Sequence, residues 1–181
     1  MRIISGNKKR IVINAPKNLP VRPTTDKVKE SLFNIIQNKF ELNDCRVLDV
    51  FSGTGNVSYE FGSRGCNDIL CIDNNFNCIR FINKTAKKLG IKIRTKKIDY
   101  LSFLKRNNQK FNIIFADPPY SFLLKDYLEI IDIVRKNEIL EEEGELIIEH
   151  RSNISFIDKV KEVDERNYGS SSLSFFKKAS L

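Results

Sequence analysis

The chain has 181 residues, of which 41% are hydrophobic and 30% are charged, and its formal net charge is +8 at pH 7. This composition is typical of one soluble globular domain with a single filled core. No apolar segment approaches the length of a membrane span and the start MRIISGNKKR lacks the apolar stretch of a signal peptide, so we expect a cytoplasmic protein with no membrane partner.

The N-terminal region predicts a small basic hairpin followed by a helix. The stretches RIISG and RIVIN read as short strands around a basic turn at residues 7–9, which gives a β-hairpin arm over residues 1–21. In VRPTTDKVKESLFNIIQNKF, Thr25 is a candidate N-cap, Asp26 lies in the first turn, and apolar residues recur at helical spacing. We therefore expect an amphipathic helix to open a core over residues 22–181, in a single domain with the arm.

From residue 45 onward the pattern alternates between strands and helices. Strands are predicted at RVLDVF, DILCID, IKIRTKK, FNIIFAD and GELIIEH, with helices near residues 57–62, 76–89, 100–106 and 123–137. Such alternation predicts a mostly parallel sheet between helices. The end, VKEVDERNYGSSSLSFFKK, has two strands around a Tyr-Gly-Ser turn and no room for a crossover helix. We expect an α/β fold: a Rossmann-like, doubly wound, seven-stranded sheet with an antiparallel C-terminal edge hairpin.

Polar residues cluster at the predicted carboxyl ends of the strands, which is where doubly wound sheets bind ligands. In LDVFSGTGN, Gly53 and Gly55 permit a tight turn and a close approach of the backbone to a ligand. Asp73 and Asp99 end two further predicted strands; Asp73 could accept hydrogen bonds from ribose hydroxyls, and Asp99 one from an adenine amino group. Taken singly, each feature is also explained by a plain turn, a helix cap or a solvated carboxylate.

The glycine loop also indicates the charge of its ligand. It contains no lysine to neutralise phosphates, unlike a P-loop, and it follows Asp49. An acidic cradle of this kind suits a cationic adenosine ligand, and we expect S-adenosylmethionine, with S-adenosylhomocysteine as its product. The predicted cofactor-binding residues are Asp49, Ser52, Gly53, Gly55, Asp73 and Asp99.

The stretch FNIIFADPPY ends an apolar strand in an acid, two prolines and an aromatic ring. Proline has no N–H for the ladder, so Pro-Pro would stop any strand, and the motif has this purely structural explanation too. Together with LDVFSGTGN and Asp73, however, FADPPY resembles the class I S-adenosylmethionine-dependent amino-methyltransferases.

A narrower resemblance rests on further segments. MRIISG, RPTTDKVKESLFNII, the SRG after the glycine loop, DPPY and NYG resemble the RsmD-like bacterial enzymes that methylate the guanine N2 amine of small-subunit (16S) ribosomal RNA, over residues 2–176. The chain departs from that pattern in its Ser-Gly-Thr-Gly loop, where the family often has Ala-Gly-Ser-Gly, and in the polar Asn56.

The resemblance implies a mechanism for the DPPY motif. The Asp117 carboxylate and the Pro118 carbonyl would accept the two N–H bonds of an exocyclic amine and aim its lone pair at the methyl group. Tyr120 would stack on the target base. Asp117, Pro118 and Tyr120 are thus the predicted catalytic residues.

The resemblance also implies an RNA partner, and the positive net charge favours one because Lys and Arg displace counterions from phosphates. The predicted RNA-binding residues are Lys8, Lys9, Arg10 and Arg22. A solvated hairpin, or an arginine that ties a loop to a helix end, would explain the same residues. We expect a monomer that acts on small-subunit ribosomal RNA within a protein-bound 30S assembly intermediate or subunit.

Two other functions are compatible with parts of the pattern. DNA adenine-N6 methylation uses the same clamp, but such enzymes usually carry a target-recognition segment, for which no block of this chain is left. A non-catalytic RNA-binding or assembly module would show a damaged loop or motif, and neither is seen. The four cysteines form no CxxC pair and His150 is the single histidine, so we expect no metal site, reduced core thiols and no catalytic role for His150.

Overall fold

A computed structural model describes residues 1–16, 19 and 24–181 of the protein. The strands are β1 (Arg46–Asp49), β2 (Asp68–Asp73), β3 (Arg94–Lys97), β4 (Phe111–Ala116), β5 (Leu140–Arg151), β6 (Asp164–Tyr168) and β7 (Ser171–Lys177). The α-helices are α1 (Asp26–Ile36), α2 (Asn56–Ser63), α3 (Phe76–Leu89), α4 (Tyr100–Arg106) and α5 (Leu124–Lys136). Short 3-10 turns cover Leu42–Asp44 and Lys178–Ser180.

The strands form one sheet in the order β3-β2-β1-β4-β5-β7-β6. β1 pairs in parallel with β2 and β4, and β3 and β5 extend the parallel part on either side. β7 runs antiparallel to both of its neighbours, β5 and β6. The predicted seven-stranded, mostly parallel sheet with an antiparallel C-terminal hairpin is therefore confirmed. The strand order reverses beside β1, which is the position where such sheets bind ligands.

Alternate residues of the central strands face two separate cores. Val47 of β1 packs on the side of α1, α2 and α3, whereas Leu48 packs on the side of α4 and α5. Because successive side chains of a strand point to opposite faces, both faces of this sheet are buried. The sequences of the central strands β2 and β4 accordingly read as nearly continuous apolar runs.

Helix boundaries follow local capping. The side chain of Thr25 accepts a hydrogen bond of 3.3 Å from the Val28 N–H, so the predicted N-cap of α1 is confirmed. The Asn75 side chain caps α3, which ends at Gly90 in the left-handed conformation, with φ at 64°. The predicted spans of α3 and α4 agree with the observed ones.

The N-terminal segment pairs with itself less extensively than predicted. A single antiparallel bridge joins Arg2 to Val12, and Ile3 donates a hydrogen bond of 3.0 Å to the Ile11 carbonyl. Ile3 and Ile13 are buried against residues of α2 and α3. The segment therefore lies along these two helices, because its apolar residues need their surface to leave water.

The four cysteines, Cys45, Cys66, Cys71 and Cys78, are buried and free, as predicted for reduced core thiols. Burial raises the pKa of the Cys71 thiol well above its usual value, which keeps it protonated. Within the part of the chain that the structure describes, no helix has the length and apolarity needed to cross a membrane.

Candidate active site

A cavity of about 480 Å³ opens beyond the carboxyl ends of β1, β2 and β4. Its lining joins the glycine loop, the ends of the strands, the first turn of α3 and the DPPY motif. Of the predicted site residues, it brings together Asp49, Ser52, Gly53, Asp73, Asp99, Asp117, Pro118 and Tyr120. Such a concave site at the switch point of the sheet is the expected position for a ligand.

The glycine loop is held in a tight left-handed turn. Gly53 and Gly55 have φ angles of 49° and 76°, and the Gly55 N–H donates a hydrogen bond of 2.6 Å to the Ser52 carbonyl. A Cβ atom at Gly55 would lie 2.9 Å from the ring of the buried Tyr59. Gly55 itself does not line the cavity but is the N-cap of α2, so its contribution is to the shape of the loop.

Asp73 ties the glycine loop to the end of β2. One of its carboxylate oxygens accepts a hydrogen bond of 2.8 Å from the Gly53 N–H, and the other accepts one of 2.7 Å from the Asn75 N–H. Each carboxylate oxygen has a second lone pair. Asp73 therefore organises the loop and keeps acceptor capacity toward the cavity that it lines.

Asp49 is a buried acid at the floor of the cavity. Its carboxylate accepts a hydrogen bond of 2.6 Å from the Ser58 hydroxyl. Burial raises the pKa of Asp49 to about 7, an effect that the Ser58 hydrogen bond opposes and the nearby charge of Asp73 reinforces. A cation bound in this cavity would favour the ionised form of Asp49.

The prediction that Asp99 ends a strand is wrong. β3 ends at Lys97, and Asp99 is the N-cap of α4, where its carboxylate accepts a hydrogen bond of 3.0 Å from the Ser102 N–H. The helix-cap alternative is thus the observed one, although Asp99 also lines the cavity. The predicted strand IKIRTKK begins three residues too early, because the exposed, mostly polar residues of β3 give little pattern to bound it, and it ends at Lys97 as observed.

The DPPY motif follows β4 and lines the same cavity. Asp117, Pro118 and Tyr120 all line it, and the Tyr120 side chain is 37% exposed. The Arg151 guanidinium lies 5.8 Å from the centre of the Tyr120 ring. Tyr120 is accordingly an accessible ring next to the acid and the carbonyl of the motif.

Three further aromatic rings were not predicted as part of the site. The ring centres of Phe51 and Tyr100 lie 4.8 Å apart, and Phe122 lies 5.6 Å and 5.7 Å from them respectively. All three line the cavity. They form an apolar wall of a kind that accommodates a flat heterocyclic ring.

The sequence matches a known protein family. The profile of the family described as "Conserved hypothetical protein 95" matches residues 1–177. The chain belongs to this family.

Relatives and a solved structure carry methyltransferase names. The chain is 33% identical to "Putative rRNA methyltransferase YlbH" of Bacillus subtilis (strain 168), over 98% of this chain and 99% of that protein. It is 35% identical to "Ribosomal RNA small subunit methyltransferase D" of Buchnera aphidicola subsp. Baizongia pistaciae (strain Bp), over 86% of this chain and 78% of that one. The solved "Putative methyltransferase yhhF" of Escherichia coli is 26% identical with a TM-score of 0.82, covering 98% of this chain and 97% of that one. The predicted RsmD-like resemblance is therefore confirmed.

In this member of the Conserved hypothetical protein 95 family, a buried lysine, Lys29, forms a hydrogen bond with Asn56, the residue that follows the glycine loop. The Lys29 ammonium is fully buried and donates hydrogen bonds of 2.6 Å to the Arg2 carbonyl and 3.0 Å to the Asn56 carboxamide oxygen. It also lies 3.2 Å from the buried Glu60 carboxylate, which pairs with Arg64. Lys29 therefore joins α1, α2 and the N-terminal segment.

The polar Asn56, a departure from the expected pattern, extends this network to the cavity. Its amide group donates a hydrogen bond of 2.8 Å to the Thr24 carbonyl. The Thr24 hydroxyl in turn donates one of 3.0 Å to Glu149 at the end of β5. Thr24, Asn56 and Glu149 line the cavity, so the network fixes the segment before α1 against it. Sequence patterns do not reveal such a network because its members are far apart in the chain.

Three of the predicted RNA-binding residues, Lys8, Lys9 and Arg10, lie apart from the cavity. The turn that carries Lys8, Lys9 and Arg10 packs against the C-terminal end of α2, where the Lys8 N–H donates a hydrogen bond of 3.0 Å to the Ser63 hydroxyl. The glycine loop is at the other end of α2, roughly 12 Å along the helix axis. Arg22 lies outside the described residues.

His150 lies in the core beside the aromatic rings of Tyr127 and Phe156. Burial lowers the pKa of its imidazole, and its Nε2 atom is 2.8 Å from the Ser174 hydroxyl oxygen. His150 is therefore part of the packed core.

Proposed function

We propose that the protein is an S-adenosylmethionine-dependent methyltransferase that modifies the exocyclic N2 amine of a guanine in small-subunit ribosomal RNA. One observation carries the proposal: the DPPY motif and the acidic glycine loop line the same cavity. A donor bound by the loop and an acceptor amine held by the motif would therefore meet within it. The family relatives named as ribosomal RNA methyltransferases support the substrate class.

The residues present fit a cationic adenosine cofactor. The Asp73 carboxylate fixes the backbone of Gly53, and no lysine or arginine lines the cavity among the described residues. Asp49 supplies a buried negative charge once it is ionised, and Asp73 retains lone pairs for hydroxyl groups. The wall of Phe51, Tyr100 and Phe122 would take a flat ring. When bound, S-adenosylmethionine supplies a methyl group that its sulfonium centre already activates.

The chain has to orient a poor nucleophile. The lone pair of an exocyclic amine is delocalised into its ring, and hydrogen bonds from both N–H groups to fixed acceptors favour a pyramidal nitrogen with an available lone pair. The Asp117 carboxylate and the Pro118 carbonyl are the two acceptors. The two prolines restrict φ on both sides of that carbonyl, so the acceptor is held before the substrate arrives. The accessible ring of Tyr120 would stack on the base.

Stacking on Tyr120 requires the target base to leave its own stack. A base in a loop or an assembly intermediate costs less to extrude than a paired one. We therefore propose protein-bound small-subunit RNA as the substrate and a monomer as the active species.

Transfer of radiolabelled methyl groups tests the proposal. Unmodified small-subunit rRNA with its proteins, duplex DNA, and protein alone are offered in parallel, and labelled products are digested to nucleosides. Label in N2-methylguanosine is the expected result. Label in N6-methyladenine would assign the DNA alternative. Cofactor binding without any transfer to the rRNA particle would overturn the proposed activity.

A further inference from the structure

The positive charge of the protein is concentrated in one part of the chain. Between Asp73 and Asp99 there are eight lysines and arginines and no aspartate or glutamate, which equals the net charge of +8 for the whole chain. This segment forms α3 and the edge strand β3. The concentration gives the β3 side of the molecule a strongly positive surface.

The cations of β3 have a structural explanation. Arg94 pairs with Asp68, and the Lys96 ammonium lies 5.6 Å from the centre of the Phe103 ring. Lysines on an edge strand also prevent pairing with another chain. These residues therefore need no ligand.

The cations of α3 have such an explanation only in part: Lys87 and Lys88 lie in its last turn, where positive charges complement the helix dipole, but Arg80 and Lys84 lie in earlier turns. Arg80, Lys84 and Lys88 are exposed and follow each other at four-residue spacing, so they form a ridge on one face of the helix, about 6 Å apart along its axis. Among the described residues, none of the three forms an ion pair with a carboxylate. We call these three residues the α3 ridge.

The α3 ridge borders a groove of about 560 Å³ between α3 and the N-terminal segment. Its apolar lining includes Val12, which is 65% exposed, together with Pro16 and the ring of Phe81. Among the described residues, no carboxylate lines this groove. An apolar floor with a cationic rim fits a chain that combines phosphates with bases.

The groove connects two features already described. At one end Asn77 lines it, and the neighbouring residues Asn75 and Cys78 line the candidate active site. At the other end Ile11 lines it, directly after the basic turn with Lys9 and Arg10. Helix α3 spans roughly 20 Å between these ends. The groove thus runs beside α3 between a residue next to the basic turn and a residue next to the cavity lining.

We propose that this groove and the α3 ridge bind the phosphate backbone of an RNA segment that flanks the target nucleotide. The inference rests on the proposed function, because it assumes that the target belongs to RNA. It assigns the RNA contact to Arg80, Lys84 and Lys88, with the basic turn as its distal end. An acidic protein segment would match the charge, but RNA is favoured because the groove ends beside the cavity where a base is to be held.

A triple substitution tests the α3 ridge. Arg80→Gln, Lys84→Gln and Lys88→Gln are combined, and the matched control combines Arg106→Gln, Lys110→Gln and Lys136→Gln. The control residues are exposed and belong to α4, α5 and the segment before β4. Both proteins lose three positive charges, so a general effect of net charge would appear in both.

Binding of unmodified small-subunit rRNA, transcribed in vitro, is measured over a range of salt concentrations. For the α3 ridge variant we expect an affinity about tenfold or more lower at low salt, and a slope of log Kd against log salt smaller by about 2, since each lost contact with a single-stranded phosphate removes about 0.7. The control should stay close to the wild type. Binding of S-adenosylmethionine should be unchanged in both variants.

Three results would overturn the inference and differ in what else they reject. If the wild type binds and methylates the rRNA and the ridge variant matches the control, only the role of the α3 ridge fails. If the wild type neither binds nor methylates the rRNA, free or protein-bound, the proposed function fails with it. If the ridge variant loses activity on protein-bound particles but binds free rRNA normally, the ridge binds a protein.

Discussion

The fully buried ammonium of Lys29 donates a hydrogen bond of 3.0 Å to the carboxamide oxygen of Asn56, the first residue of α2. Asn56 follows the glycine loop directly, so its hydrogen bond with Lys29 connects the end of the loop to α1. The buried Glu60 carboxylate, which also pairs with Arg64, and the Asp26 carboxylate at 3.5 Å balance its charge. Without the ammonium, the Asn56 oxygen and the Arg2 carbonyl would lose a buried donor and Glu60 would keep Arg64 alone, and loss of one member of such a buried charged group is strongly destabilising.

We therefore expect Lys29→Met to lower the free energy of unfolding by about 3 kcal/mol or more. Lys27→Met is the matched control, because Lys27 is on the same helix but exposed, and it should change stability by less than about 0.5 kcal/mol. Urea unfolding of both variants provides the measurement. Equal stability of the two proteins would show that the charge of Lys29 is not needed in the core.

Gly55 is constrained both by its backbone angle and by the space around it, and the two constraints can be separated. In Gly55→Ala the backbone would have to keep a left-handed φ of 76°, and the added Cβ atom would lie 2.9 Å from the Tyr59 ring. Gly90→Ala is the control, since Gly90 also has a positive φ, of 64°, but no atom lies within 4 Å of its added Cβ. We expect a loss of about 1 kcal/mol for Gly90→Ala and about 1–3 kcal/mol more for Gly55→Ala.

The same pair separates folding from cofactor binding. Gly55→Ala should also weaken S-adenosylmethionine binding at least severalfold, whereas Gly90→Ala should not, because Gly90 is at the far end of α3. Calorimetric titration at a temperature where both variants are folded measures this. Similar stability losses and unchanged binding in both would mean that the loop tolerates a side chain.

Asp49 predicts a pH dependence for binding of a cation. In the free protein, burial raises its pKa to about 7, so below this pH the carboxyl is mostly protonated. A cationic ligand favours the carboxylate, and binding should therefore release a proton below about pH 7 and strengthen as pH rises through that value. Titrations with S-adenosylmethionine in buffers of different ionisation enthalpy measure both effects, and Asp49→Asn should remove them.

The stability of the free protein should change in the opposite sense. The pKa of Asp49 in the folded state lies above its ordinary value of 3.8, so its contribution to stability is complete below about pH 4 and is lost as pH rises through 7. Asp49→Asn should accordingly stabilise the ligand-free protein relative to the wild type at about pH 8, and less so at about pH 5. Thermal unfolding at both pH values tests this; a pH-independent difference would contradict the raised pKa.

The fold was largely predictable because hydrophobic periodicity is a local signal. Apolar runs that end in polar residues indicate β1, β2 and β4. They therefore predict that Asp49, Asp73 and Asp117 lie together at the carboxyl ends of these strands. Asp99 was placed at a strand end because the exposed β3 has little apolar pattern, and its residues could not distinguish a strand end from a helix cap.

The features that were missed depend on contacts between distant segments. A lysine on an amphipathic helix is normally expected to face solvent, and Lys29 is buried only because Arg2, Asn56 and Glu60 supply its partners. The wall of Phe51, Tyr100 and Phe122 similarly combines two loops and the first residue of α4. No local spacing predicts such groups, because their members meet only after the sheet has formed.

Asp117 provides the most direct test of the proposed clamp. If its carboxylate holds the amine mainly in the transition state, Asp117→Ala should lower kcat by about a hundredfold or more while S-adenosylmethionine still binds with similar affinity. Asp117→Asn keeps one acceptor oxygen but cannot take a proton, so it should retain more activity than Asp117→Ala if orientation dominates. Equal and complete losses would instead assign Asp117 a role that requires its charge. Single-turnover transfer to the rRNA particle measures all three proteins, and near-wild-type rates for Asp117→Ala would remove this residue from the mechanism.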